Sequence, residues 1–113
     1  MTEPTAERTP IAVVTTVATR DEAMRIAEAL VARRLAACVQ IGAIESVYAW
    51  KGELRRDPEF RVLAKTTAAR YAAVAAAIRE LHSYELPAIH AIAFAHVSTP
   101  YGEWIAENSN GQS

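Results

Sequence analysis

The sequence is short of cysteine, of long apolar runs and of excess charge of one sign. Its one cysteine is Cys38, so a disulfide within the chain is excluded and a reducing, cytoplasmic location is expected. The longest alanine-rich stretch, residues 72–78, is far shorter than the roughly 20 apolar residues of a membrane-spanning helix. Residues 1–10 lack the apolar segment of a signal peptide. We therefore expect no membrane partner.

The near-zero net charge and the absence of catalytic motifs argue against a nucleic-acid-binding protein and against an enzyme. The chain carries 12 basic and 13 acidic side chains, a net charge of -1, which gives no field that attracts a polyanion, so we expect no nucleic acid partner. The sequence contains no G-x-S-x-G, H-E-x-x-H or G-x-x-x-x-G-K-[ST] motif. Cys38 and His82 are the residue types of a nucleophile and its base, but no motif joins them. We expect a protein that is not an enzyme.

The composition favours one folded domain. Hydrophobic residues make up 51% and charged residues 22% of the 113 residues, which is typical of a globular protein, and a chain of this length usually forms one core. Residues 1–9 and 108–113 are polar and without hydrophobic periodicity. We therefore predict flexible tails at both ends and a domain over residues 10–107.

The first strand and the first helix are predicted from patterning. Residues 11–18 are β-branched and apolar on both faces, which indicates a buried central strand. Thr19 and Glu22 then match a capping box, in which both side chains satisfy amide groups at the start of a helix. The helix is predicted to end near Leu35.

A long hairpin is predicted next. Residues 38–50 are rich in Val, Ile, Tyr and Trp, and Gly42 interrupts them, which indicates a strand bent at a β-bulge. Residues 51–53 form the turn, and residues 60–66 return as the second strand. Pro58 cannot donate to a strand ladder, so we place it at a strand start or a sheet edge.

The remaining elements complete the topology. An apolar stripe predicts a second helix over residues 68–81, and residues 89–97 form the fourth strand. Thr99 as N-cap, with Pro100 at the first helical position, opens a short final helix. The order βαββαβ, with right-handed crossovers, predicts an α+β fold, the ferredoxin-like split βαβ sandwich, followed by a short C-terminal helix.

Four ordered motifs make the chain resemble a known family. They are LAACV at 35–39, SVYAWKG at 46–52, Glu59 with KTT at 65–67, and HSYELP at 82–87. Together they resemble the CutA family of divalent-cation tolerance proteins, whose patterns are LAACV, S-x-Y-x-W-x-G, E-x-x-x-x-x-KT and HPYE-x-PE-I. The resemblance implies a homotrimer assembled through its sheets and a role in tolerance to copper and other divalent cations.

The sequence departs from the family pattern at four positions. Val17 stands where some relatives have a cysteine, and Leu81 stands where some have a second histidine. Ser83 replaces the proline of HPYE, and Ala88 replaces the glutamate of PEI. Three of these changes remove side chains that are potential metal ligands.

Copper and zinc favour thiolate and imidazole ligands, so the metal-ligand candidates are Cys38, His82, His90 and His96, with Glu59 as a possible carboxylate helper. His90 and His96 lie about 20 Å apart along the predicted strand and cannot share one ion within a subunit, which leaves Cys38, Glu59 and His82. Each candidate also has a structural alternative. Cys38 could be a small buried hydrophobe, His82 a cation at a helix C-terminus, and Glu59 the partner of Lys65 or an arginine.

Two functions remain open from the sequence. The first is a homotrimer that binds copper or another divalent metal ion in a cleft between subunits. The second is a trimeric signalling or scaffold protein that binds a small metabolite or a partner protein in that cleft. The aromatic residues fit either a subunit interface or a ligand pocket: Tyr48, Trp50, Tyr84 and Trp104.

Overall fold

The computed structural model describes residues 8–111, in which four strands and three α-helices follow the predicted order. The strands form one antiparallel sheet, in which Cys38–Trp50 (β2), Glu53–Thr67 (β3), Pro10–Val17 (β1) and His90–Ala93 (β4) lie side by side in that order. This is the order of the predicted split βαβ arrangement. A 3₁₀ turn precedes the second helix. The elements are β1 (Pro10–Val17), α1 (Arg20–Ala32), β2 (Cys38–Trp50), β3 (Glu53–Thr67), the turn (Ala68–Arg70), α2 (Tyr71–Leu81), β4 (His90–Ala93) and α3 (Thr99–Asn108).

Strand β1 lies at the centre of the core. It pairs with β3 on one side and β4 on the other, and its residues from Ile11 to Val14 are buried whichever face of the sheet they point to. Helices α1 and α2 pack together over one face, and α3 contacts β1 and β3. The buried central strand predicted from the apolar run is therefore confirmed.

The β2–β3 hairpin is regular along its whole length. Its register runs residue by residue from Cys38 opposite Lys65 to Trp50 opposite Glu53. The predicted bulge at Gly42 is wrong, because that glycine simply occupies a paired position. Lys51 and Gly52 form a two-residue turn with φ of 49° and 80°, which is the backbone of the turns that best match strand twist.

Strand β3 begins earlier than predicted, at Glu53 rather than at residue 60. Pro58 therefore lies inside the strand. It is tolerated there because β1 ends opposite Phe60, so that β3 has only β2 beside it at Pro58. This is the edge position that proline requires.

Strand β4 is shorter than predicted. It covers His90–Ala93 rather than 89–97, because its partner β1 begins at Pro10, whose carbonyl accepts from Phe94 N–H in the last bond of the pair. The N-cap of α3 is Ser98 instead of Thr99. Helix α1 ends at Ala32, three residues before the predicted end.

The described part of the predicted C-terminal tail makes several hydrogen bonds. Ser109 is buried, the N–H of Gly111 donates to the carbonyl of Arg34, and Arg70 donates to the carbonyl of Asn110. Residues 1–7 and 112–113 of the predicted tails lie outside the described residues. No helix within residues 8–111 has the length and apolarity to cross a membrane.

Candidate functional site

His82 follows the last residue of α2 and is held by the backbone through both ring nitrogens. Its Nδ1 accepts from the N–H of Tyr84 at 3.1 Å, so in the neutral ring Nε2 carries the hydrogen and donates to the carbonyl of Thr16 at 2.8 Å. The side chain is fully buried. The ring thus fixes the loop after α2 to strand β1, and a metal ion would have to displace one of these two bonds.

Glu22 lies at the start of α1 and connects that helix to the same loop. The Thr19 hydroxyl accepts from the N–H of Glu22 at 3.1 Å, so this half of the predicted capping box is confirmed. The other half is wrong, because the Glu22 carboxylate accepts from Ser83 N–H at 2.8 Å and from its hydroxyl at 3.0 Å. The carboxylate also lies 3.7 Å from Nδ1 of His82.

Glu59 points away from the core face of β3, because its neighbour Phe60 packs against the core and successive side chains alternate between faces. It is 7% exposed and accepts from the Tyr84 hydroxyl at 2.7 Å. Burial and this hydrogen bond raise the pKa of Tyr84 well above its usual value, so the phenol keeps its proton and donates.

The expected pairing of Glu59 with Lys65 or an arginine is not found within residues 8–111. Lys65 instead donates to the Tyr101 hydroxyl at 3.1 Å, and its ammonium lies 5.3 Å from the centre of that ring. Glu59 is therefore a buried carboxylate whose hydrogen-bond donor is a neutral phenol.

Cys38 lies apart from the other two candidate ligands in the chain. It stands opposite Lys65 in the hairpin, six residues along β3 from Glu59, which corresponds to about 20 Å. Glu59 and His82, by contrast, are linked through Tyr84, which contacts both. In the part of the chain that the structure describes, no group of three or more His, Cys, Asp and Glu side chains could hold a metal ion.

A cavity of about 740 Å³ opens between the hairpin and the loop after α2. The aromatic residues Tyr48, Trp50 and Tyr84 line it, whereas Trp104 lies elsewhere and stacks on Tyr101. The Tyr48 hydroxyl donates to Asp57 at 2.5 Å, and this hydrogen bond raises the pKa of Tyr48. The other lining residues are Thr16, Glu45, Ser46, Val47, Arg55, Glu59, Glu85, Leu86 and Ala88.

Several lining residues were not identified from the sequence. Glu45, Arg55 and Glu85 belong to no recognisable catalytic spacing, and only the hairpin register and the path of the loop bring them together. Arg55 could have been found by counting back from the turn, because it stands opposite Tyr48. In the loop, Glu85 and Leu86 belong to the HSYELP motif, but the motif does not report that they face the hairpin.

Comparison with known proteins places most of the chain in one family. The model of the family described as "CutA1 divalent ion tolerance protein" matches residues 11–108. A divalent-cation tolerance protein CutA from Thermus thermophilus is 39% identical over 98 residues, covering 86% of this chain and 95% of the relative.

Solved structures give the same result. A structure described as the periplasmic divalent cation tolerance protein CutA from Archaeoglobus fulgidus superposes with a TM-score of 0.86 at 33% identity, covering 88% of this chain and 98% of that one. The crystal structure of CutA1 from Shewanella sp. SIB1 superposes with a TM-score of 0.85 at 37% identity, covering 89% and 95%.

Proposed function

The chain belongs to the CutA1 divalent ion tolerance protein family, and we propose that it takes part in the response to copper or another divalent metal ion as a binding protein rather than an enzyme. The observation that carries the proposal is Glu59, a buried carboxylate beside an open cavity. We further propose that it acts in the cytoplasm, because its one cysteine has no partner for a disulfide within the chain.

We propose that the chain assembles into a homotrimer. Strand β2 is an edge of the sheet and runs for 13 residues, and Val47 and Leu54 on the hairpin are 65% and 67% exposed. A long exposed edge with apolar side chains promotes aggregation unless another chain covers it. Light scattering at low micromolar concentration is expected to give three times the chain mass of 12.3 kDa. A monomer would refute the assembly.

The metal site is proposed to draw its ligands from more than one subunit. Glu59 is the best placed, because its carboxylate adjoins the cavity. Cys38 is too far from Glu59 within one chain to join it, so it would come from a neighbouring subunit. His82 would join only by releasing Thr16 or Tyr84.

Isothermal titration of the metal-free protein with a copper salt tests this site. The wild type is expected to bind with a defined stoichiometry, and Glu59→Gln, Cys38→Ala and His82→Ala are each expected to weaken or abolish binding. Glu53→Gln is the matched control, because Glu53 is an exposed carboxylate of the same strand outside the cavity. Circular dichroism checks that His82→Ala, which removes buried hydrogen bonds, still folds. Equal copper uptake by Glu59→Gln and wild type would refute Glu59 as a ligand.

A second function is favoured by the cavity itself. Its volume falls in the range of small-molecule pockets, and three aromatic rings beside a few polar groups are the usual lining of such pockets. In this function the trimer signals or acts as a scaffold by binding a small metabolite or a partner protein there. A thermal-shift screen of metabolites beside metal salts tests it, because a ligand of the native state raises the melting temperature. If metals alone raise it, this function is refuted.

A further inference from the structure

We propose that the cavity beside Glu59 binds a small organic cation, an ammonium group carried on an apolar body. This inference rests on the second function proposed above and names the class of its ligand. Three properties of the cavity carry it: the charge of its lining, its aromatic surface and the unfilled hydrogen-bonding capacity of Glu59.

The lining of the cavity is acidic. Glu59 and Glu85 contribute two carboxylates, against the one guanidinium of Arg55. Glu45 also lines the cavity, but it pairs with Pro58 and so points to the opposite face of the hairpin from Glu59. A concave surface lined by an excess of one charge concentrates ligands of the opposite charge. An anion would face both carboxylates, whereas a cation meets one cationic lining residue, Arg55, which is exposed.

The aromatic side chains fit the same ligand. Tyr48, Trp50 and Tyr84 line the cavity, and the faces of such rings attract ammonium groups within about 6 Å of their centres. The ammonium of Lys51, which is not a lining residue, already lies 5.7 Å from the Trp50 ring, so a ligand at Trp50 would use the other face of the ring or displace Lys51. Leu86 adds an apolar side chain that suits the body of the ligand.

Glu59 supplies the specific contact. Its Oε2 accepts from Tyr84, and no donor within residues 8–111 bonds its Oε1. Glu59 is 7% exposed as a residue, and its Oε1 keeps access to the cavity, because within residues 8–111 the Thr15 hydroxyl is the one fully buried side-chain polar atom without a hydrogen bond. An ammonium group brings both a positive charge and several N–H donors, so it satisfies the oxygen that the protein leaves open.

Isothermal titration calorimetry with three ligands of similar shape and different charge tests whether the cavity prefers a cation. The probes are benzylammonium chloride, neutral benzyl alcohol and sodium benzoate, each titrated at pH 7 in the presence of EDTA so that divalent metal ions play no part. We expect benzylammonium to bind saturably and the other two probes to bind at least about tenfold more weakly, as expected for a hydrogen bond to a charged group.

Two variants test whether Glu59 is the residue that contacts the ammonium group. Glu59→Gln is expected to weaken benzylammonium binding about ten- to a hundredfold, and it retains an oxygen that accepts from Tyr84. Glu28→Gln makes the same change of charge on the exposed side of α1, away from the cavity, and is expected to leave binding unchanged. Equal effects of the two variants would overturn the assignment to Glu59.

The remaining outcomes separate this inference from the functions proposed above. If benzoate or benzyl alcohol binds as tightly as benzylammonium, the cation class is wrong, while binding of organic molecules in the cavity stands. If none of the three probes binds, the inference is overturned, and the thermal-shift screen and the copper titration still decide the two proposed functions independently.

Discussion

Replacing Glu22 by alanine is expected to destabilise the protein through loss of one connection between α1 and the loop after α2. Glu22 is buried, with 5% of the residue exposed, and its carboxylate accepts two hydrogen bonds from Ser83, one from the N–H and one from the hydroxyl. Alanine removes both acceptors at once. Because alanine is the best helix former, helix propensity does not add to the loss.

The size of the effect follows from the two bonds. A hydrogen bond to a charged group contributes about 1.5–3 kcal/mol. Ser83 is exposed as a residue, so water replaces part of each bond in the variant, and we expect a loss of about 2–3 kcal/mol in the free energy of unfolding. For a domain of this size that corresponds to a fall of roughly 10 °C in the melting temperature.

Urea unfolding followed by circular dichroism measures this loss. All variants are compared at one protein concentration, because the stability of an oligomer depends on concentration. Asp21→Ala is the control. It removes a carboxylate from the same first turn of α1, and Asp21 is exposed, so it reports the helix-dipole contribution of about 0.3–1 kcal/mol alone. If Glu22→Ala costs no more than Asp21→Ala, the connection to Ser83 does not stabilise the fold.

Three further changes test other features of the fold. Gly52→Ala is expected to lower the free energy of unfolding in urea by about 1–2 kcal/mol, because alanine is strained at a φ of 80°. Gly42→Ala is the control, because nothing lies within 4 Å of the added carbon and φ is not positive there. An equal loss in both variants would refute the turn geometry. Thr15→Val is expected to leave stability unchanged or raise it by about 1 kcal/mol, because the buried Thr15 hydroxyl has no hydrogen-bond partner within residues 8–111; a clear loss in the same assay would show that the hydroxyl is bonded. The pKa of Tyr84 is raised by burial and by Glu59, so the folded state holds this proton more tightly than the unfolded state. The contribution of Tyr84 to the free energy of unfolding is therefore expected to be fully present below about pH 10 and to be lost as the pH rises beyond it. Tyr84→Phe is expected to reduce that alkaline fall, and an unchanged pH profile would contradict the assignment.

Much of the fold is predictable because its signals are local. The apolar run of β1 indicates burial on both faces, and the Thr19 hydroxyl marks the start of α1 by a bond that spans three residues. Strand ends were less predictable, because they depend on the partner strand. Strand β4 stops where β1 begins, and nothing in the residues after Ala93 encodes that limit.

The candidate site was only partly predictable, and its hairpin shows why. A two-residue turn at Lys51 and Gly52 places Glu53 opposite Trp50, and counting from there puts Glu59 opposite Ile44. The separation of Glu59 from Cys38 within one chain thus follows from the turn, once the absence of a bulge at Gly42 is known. The bond of His82 to Thr16 and the bond of Glu22 to Ser83 each join residues more than 60 positions apart, and no local pattern reports such contacts.

Ser83 explains how the loop beside the cavity is held despite its departure from the family pattern. The family motif has a proline at this position, which fixes φ but has no N–H to donate. In this chain Ser83 gives both its N–H and its hydroxyl to Glu22. The next residue, Tyr84, is fixed at both ends, with its N–H on His82 and its hydroxyl on Glu59. Tyr84, which forms one wall of the cavity, is therefore positioned by α1 as well as by β3. Glu22→Ala is expected to make the position of Tyr84 less fixed and so to weaken the binding of any ligand that contacts Glu59.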